Sequence, residues 1–100
     1  LIGPNAVVAG TAKLGDGCIL GANAVVDVKA EVGDYAQLGA GAILNAEVKV
    51  GELAFIGAGA VVVAGVSIGA KARVGAGSVV VADVPAGQTV FGNPAQAIKN

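Results

Sequence analysis

Stepping by six residues from Ile2, the chain meets Ile2, Val8, Leu14, Leu20, Val26, Val32, Leu38, Leu44, Val50, Ile56, Val62, Ile68, Val74 and Val80, all of them aliphatic. The next residue is Gly in most of these hexads. Four residues after each aliphatic stands a small residue, mostly Ala, with Cys18, Ser78, Val48, Val66 and Val84 as the variants. A period of six matches neither a helix nor the plain alternation of a strand. A longer period lies over it: GPNAVV at Gly3 returns as GANAVV at Gly21, GAGAIL at Gly39, GAGAVV at Gly57 and GAGSVV at Gly75, every 18 residues. Three hexads therefore make one coil, and the repeat predicts an all-β, parallel β-helix whose coils bury their inward sides only by stacking on one another. The corners of such a coil need residues at positive φ, and Gly17, Asn23, Gly41, Gly59, Gly65 and Gly77 are placed for that.

The hexads give about 4.7 coils, and at roughly 4.8 Å per hydrogen-bonded layer the prism is expected to stand about 22 Å tall. Residues 1–85 are assigned to the β-helix. Residues 86–100 lose the hexad and read as a C-terminal cap over a strand edge that would otherwise invite aggregation. The residue before each aliphatic points outward, and the three sides differ there. One side presents the apolar stripe Val7, Val25, Ile43, Val61 and Val79, another Lys13, Glu31, Lys49 and Ser67, the third Ile19, Gln37, Phe55 and Arg73. Five branched aliphatics in a row facing water are expected to form a self-association interface, and a ring of three suits a three-sided prism.

Composition narrows the chemistry. The chain has 100 residues and 17 Gly, with three aromatics and no His, Met or Trp, so its interior is stocked with small branched side chains. Its net charge of −1 comes from scattered single charges and offers no footprint for nucleic acid or an anionic membrane. The charge-free run 53–70 is long enough to raise a membrane helix, but it holds four Gly and keeps the hexad, so it reads as soluble repeat. One Cys and no His leave neither an internal disulfide nor a metal site, and Cys18 is expected to be a small buried residue. A cytoplasmic setting follows. The start in mid-register without Met, together with the regularity of the hexads, reads as an excised or engineered fragment.

Other chemistry is weaker than its structural alternative. GAGAVV and GAGSVV lack the third Gly of a dinucleotide fingerprint and precede no helix pattern, so their glycines are corner residues. The acid pairs Asp27 with Glu31 and Asp16 with Asp34 read as solvated surface charge. Tyr35 and Phe55 sit on separate coils and are expected to form no stacking platform. Thr occurs only at Thr11 and Thr89, which excludes an ice-binding ladder.

The aliphatic-Gly-x-x-small-x repeat, the 18-residue coil and the ending VADVPAGQTVFGNPAQAIK resemble the left-handed β-helix domain of the hexapeptide-repeat acyltransferases. The resemblance is greatest to the sialic acid O-acetyltransferase (NeuD-like) and bacillosamine-pathway N-acetyltransferase (PglD-like) types. It implies a left-handed coil, a homotrimer, and acetyl-CoA held between adjacent prisms, with a His acting as base on the acceptor hydroxyl or amine. The base of these relatives lies in a stretch resembling VVDHDC, which aligns with Val25 to Ala30. Its place is taken here by Val28, the place of the neighbouring acid by Lys29, and that of a second His near the thioester by Gln37. Backbone contacts to the pantetheine arm fall, by the same resemblance, near Ala58 and Ala76. The nucleotide-sugar-binding N-terminal domain of those relatives has no counterpart in the sequence. The resulting expectation is a non-catalytic, self-associating scaffold with no cofactor. The alternative is an acetyl-CoA-dependent O- or N-acetyltransferase acting on an amino sugar or sialic acid.

Overall fold

The computed structural model describes residues 1–98, in which fifteen strands and no helix occur. It follows that no described helix is long and apolar enough to cross a membrane. The chain winds as a left-handed parallel β-helix with three faces built mainly of two-residue strands. The first face stacks β1 (Val7–Val8), β4 (Val25–Val26), β7 (Ile43–Leu44), β10 (Val61–Val62) and β13 (Val79–Val80). The second stacks β2 (Lys13–Leu14), β5 (Glu31–Val32), β8 (Lys49–Val50) and β11 (Ser67–Ile68). The third stacks β3 (Ile19–Leu20), β6 (Gln37–Leu38), β9 (Phe55–Ile56), β12 (Arg73–Val74), β14 (Thr89–Gly92) and β15 (Ala95–Ala97).

The 18-residue step of the sequence is the register of the ladders. Val7, Val25, Ile43, Val61 and Val79 are successive Cα partners, as are Ile19, Gln37, Phe55 and Arg73. Backbone donors reach from each coil to the next, as where Val25 N–H bonds to the Ala42 carbonyl at 2.9 Å and Gly39 N–H to that of Ile56 at 2.7 Å. Inside, the hexad aliphatics from Leu20 to Val80 are all buried, and the small residues between them, from Cys18 to Ser78, share that interior. Many of the small residues are alanines because three faces converge on an axis too narrow for larger side chains. Gly at the position after the aliphatic has a steric cause: a Cβ on Gly57 would lie 2.5 Å from the Ala76 nitrogen of the next coil. Only the corner between the first and second faces replaces that Gly throughout, with Ala9, Asp27, Asn45, Val63 and Val81.

All six corner residues expected at positive φ have it, but the conformation is more general. Lys29, Tyr35, Glu47, Leu53 and Lys71 adopt it too, at φ between 57° and 63°. Each of these costs about 1–2 kcal/mol relative to an ordinary conformation. A bond between coils offsets part of that cost: Tyr35 N–H donates to the Asp16 carbonyl at 2.8 Å, and Leu53 N–H to that of Asp34 at 3.0 Å.

Val84 departs from the sequence reading. It is not a small-position residue following Val80 but the next aliphatic of the ladder, bridging Ile68 and buried with the core. The preceding corner is two residues shorter than the others, and Asp83 Oδ1 closes it by accepting the Ser67 N–H at 2.9 Å. The ladder then runs on to Val90, the Cα partner of Val74. β15 folds back antiparallel on β14, and the Ser78 hydroxyl, fully buried, accepts the Gly92 N–H at 3.0 Å. The long axis measures 37 Å, against the roughly 22 Å expected from the repeat alone, and these layers supply about 10 Å of the difference; the cross-section is 21 × 20 Å.

Candidate functional site

The corner between the first and second faces is where side chains replace glycine, and it carries Val28 and Lys29. Its polar groups are committed to holding the turn. Asp27 Oδ1 accepts the Val28 N–H at 2.7 Å, the Val28 carbonyl accepts the Glu47 N–H at 2.9 Å, and Lys29 N–H donates to Thr11 Oγ1 at 3.1 Å. The Val28 side chain is half exposed and has no group able to move a proton. Gln37 lies on β6 of the third face, a different side of the prism, so one chain does not bring the two positions together.

Ala58 and Ala76 occupy the corner between the third and first faces, one coil apart in a single column. The Ala58 carbonyl accepts the Gly77 N–H at 2.8 Å, while the Ala58 and Ala76 N–H groups donate to no acceptor among the described residues. Both residues are exposed, and the space beside Gly59 and Gly77 is open. This corner is a strip of exposed backbone with few side chains.

The stripe on the first face is continuous, as expected. Val7 is exposed, and Val25, Ile43, Val61 and Val79 are half-buried between their neighbours above and below. Concavities lie elsewhere. A groove of about 670 Å³ follows the corner between the second and third faces, floored by Gly15, Gly33, Gly51 and Gly69. A recess of about 340 Å³ opens beside the third face, lined by Tyr35, Gln37, Leu53, Ala54, Phe55 and Arg73. The sequence reading missed this recess because it treated Tyr35 and Phe55 as belonging to separate coils. The available signal was the filling of the corner positions Tyr35 and Leu53 with large apolar residues.

Residues 1–27 and 29–64 match the bacterial transferase hexapeptide family (six repeats), and residues 47–82 match the hexapeptide repeat of succinyl-transferase. The chain belongs to the hexapeptide-repeat transferases. Among solved structures, this hexapeptide-repeat chain is similar to PerB from Caulobacter crescentus in complex with CoA and GDP-perosamine. That pair shows 36% identity and a TM-score of 0.83 over 99% of this chain and 58% of that one. It is also similar to the acetyltransferase domain of PglB from Neisseria gonorrhoeae in complex with acetyl coenzyme A, at 30% identity and a TM-score of 0.85 over 98% of this chain and 57% of that one. A third is a histidine-to-alanine mutant of GDP-perosamine N-acetyl transferase from Caulobacter crescentus in complex with CoA and GDP-perosamine. Here the identity is 36% and the TM-score 0.73, over 100% of this chain and 58% of that one. The chain thus spans less than two thirds of each of these proteins. A search of curated protein sequences finds no match.

Proposed function

We propose that this chain is a self-associating, CoA-binding β-helix in which the acetyl-transfer machinery has lost its base. The observation that carries this reading is that Val28 and Gln37 stand where the resemblance places histidines, in a chain containing no histidine at all, while the backbone corner at Ala58 and Ala76 remains open. Catalysis of this kind needs a positioned proton acceptor, and a valine has none. Binding of the pantetheine arm needs no such group and can draw on backbone N–H groups without an acceptor, such as those of Ala58 and Ala76. The crystallised histidine-to-alanine relative still holds CoA, which supports separating binding from transfer. Acetyl-CoA, when bound, would supply the thioester. The corner amides of Ala58 and Ala76 would orient its arm.

Association through the stripe of Val7, Val25, Ile43, Val61 and Val79 belongs to the same reading, with a ring of three as its form. A single buried thiol at Cys18 fits a reducing, cytoplasmic compartment. The comparisons lend no support to an engineered origin, so the scaffold is read as a descendant of the family and not as a design.

Calorimetric titration with CoA and a thiol-release assay with acetyl-CoA and amino-sugar acceptors test the proposal. It expects saturable CoA binding, with an affinity of about micromolar order, and no thiol release above the uncatalysed rate. Turnover by the unaltered chain would overturn it in favour of the acetyltransferase reading, which the acetyltransferase neighbours favour. Restoring His at both positions (Val28→His with Gln37→His), with Lys29→Asp, is expected to raise acetyl-CoA hydrolysis above the parent.

A further inference from the structure

Charges that lie scattered along the sequence are gathered by the fold onto one side. The chain has six basic and seven acidic residues. Five of them, Lys13, Lys29, Glu31, Glu47 and Lys49, stand on the second face and the corner that leads into it, all exposed. The outward positions of the first face carry no charge, and those of the third carry only Arg73.

The signs on this side are ordered. Lys13, Glu31, Lys49 and Ser67 are successive Cα partners up the face, one to a coil. Beside them in the corner column, Lys29 shares the second coil with Glu31, and Glu47 shares the third with Lys49. These four form a square, about 4.8 Å from coil to coil, in which every side joins opposite charges.

Such a square finds its complement in a second copy of the same face. In an antiparallel pair, a twofold axis lies across the face between the second and third coils, and each column meets itself with the coils exchanged. Lys29 then meets Glu47 of the second copy, Glu31 meets its Lys49, and Lys13 meets its Ser67. Two copies with parallel axes, centred on the same strands, would set Lys13, Glu31 and Lys49 each against itself, and like charges so placed select against that arrangement. Asp34 and Glu52, beyond the far edge of the face, would approach each other in the antiparallel pair. The contact is therefore centred toward Thr11, where no like charges meet.

Size sets its strength. The cross-section is 21 × 20 Å, and four coils at about 4.8 Å each give roughly 400 Å² per copy. The total of about 800 Å² lies below the roughly 1,200 Å² of stable interfaces and suits a transient contact. We infer that the second face is an electrostatic self-docking surface that pairs two copies of this chain antiparallel. It lies on a different side of the prism from the apolar stripe, so one copy can use both.

Light scattering tests this at a protein concentration of about 1 mM, suited to a weak contact. The comparison is between about 10 mM and 1 M salt, across which the Debye length falls from about 30 Å to 3 Å. The average mass of the parent is expected to fall toward half its low-salt value, whereas the stripe has no charge to screen. Lys49→Glu sets Glu31 against a second acid and is expected to remove the salt-dependent part of the mass. Adding Glu31→Lys to Lys49→Glu restores opposite charges across the antiparallel pair and is expected to restore that mass. Lys71→Glu makes the same change in net charge away from the face and is expected to behave as the parent. A thermal scan of each variant confirms that the coil is folded. The inference is overturned if the parent's mass is the same at both salts, if Lys71→Glu loses as much mass as Lys49→Glu, or if the charge-swapped chain fails to regain it. An oligomer that persists unchanged through all salts and variants would refute this face while sparing the stripe.

Discussion

Leu53 and Glu47 sit in backbone conformations that glycine would hold without strain, Leu53 with half its surface in water. Glycine at either position relieves the strain of a Cβ at positive φ, and the greater freedom it gives the unfolded chain returns part of that gain. Leu53→Gly and Glu47→Gly are each expected to stabilise by about 1 kcal/mol, which corresponds to a rise in melting temperature of roughly 4–8 °C for a domain of this size. Leu53→Ala keeps the Cβ and should show no such rise in the same thermal scan. At this scale the hexad was fully legible, since each aliphatic answers to one inward position. The corners were legible only where Gly or Asn marked them. Tyr35 and Leu53 were not, because the geometry of the coil overrides their residue preference.

The ladders were legible as elements because a strict 18-residue step leaves one register. Charge supports that register on the second face, where Lys13, Glu31 and Lys49 are successive Cα partners. Beside them Lys29 and Glu47 alternate in sign, and with Thr11 they line a shallow recess of about 310 Å³. Glu31→Lys would place three like charges in one column and should destabilise by a few tenths to about 1 kcal/mol, with the loss shrinking in high salt as screening takes hold. Chemical denaturation at low and high salt measures this directly. At the C-terminal end, the two-residue shortening before Val84 hid the continuing ladder from a fixed six-residue step. Besides its ladders to β12 and β15, β14 is held there by the buried Ser78 hydroxyl, which accepts the Gly92 N–H. Ser78→Ala should therefore cost about 1 kcal/mol, and hydrogen exchange should show faster opening at Gly92 while Leu38 and Leu44 keep their protection.

At the scale of the molecule, the prism presents an apolar stripe, a backbone corner and an aromatic recess on different sides. The fold could be read from the sequence because the repeat records the core many times over. The recess beside the third face could not, because its lining comes from adjacent coils that no single stretch of sequence brings together. Val61→Lys, in the middle of the stripe, should reduce the sedimentation mass from an oligomer to a monomer without unfolding the coil, since Val61 lies outside the core. An unchanged mass would remove the stripe from the interface. The central proposal is that the backbone corner at Ala58 and Ala76 takes the pantetheine arm without a catalytic base nearby, and a crystal of this chain soaked with CoA tests it most directly. Density for the pantetheine arm along the Ala58–Ala76 corner is the predicted result. An empty corner at saturating CoA, in a lattice that leaves it open to solvent, would contradict it.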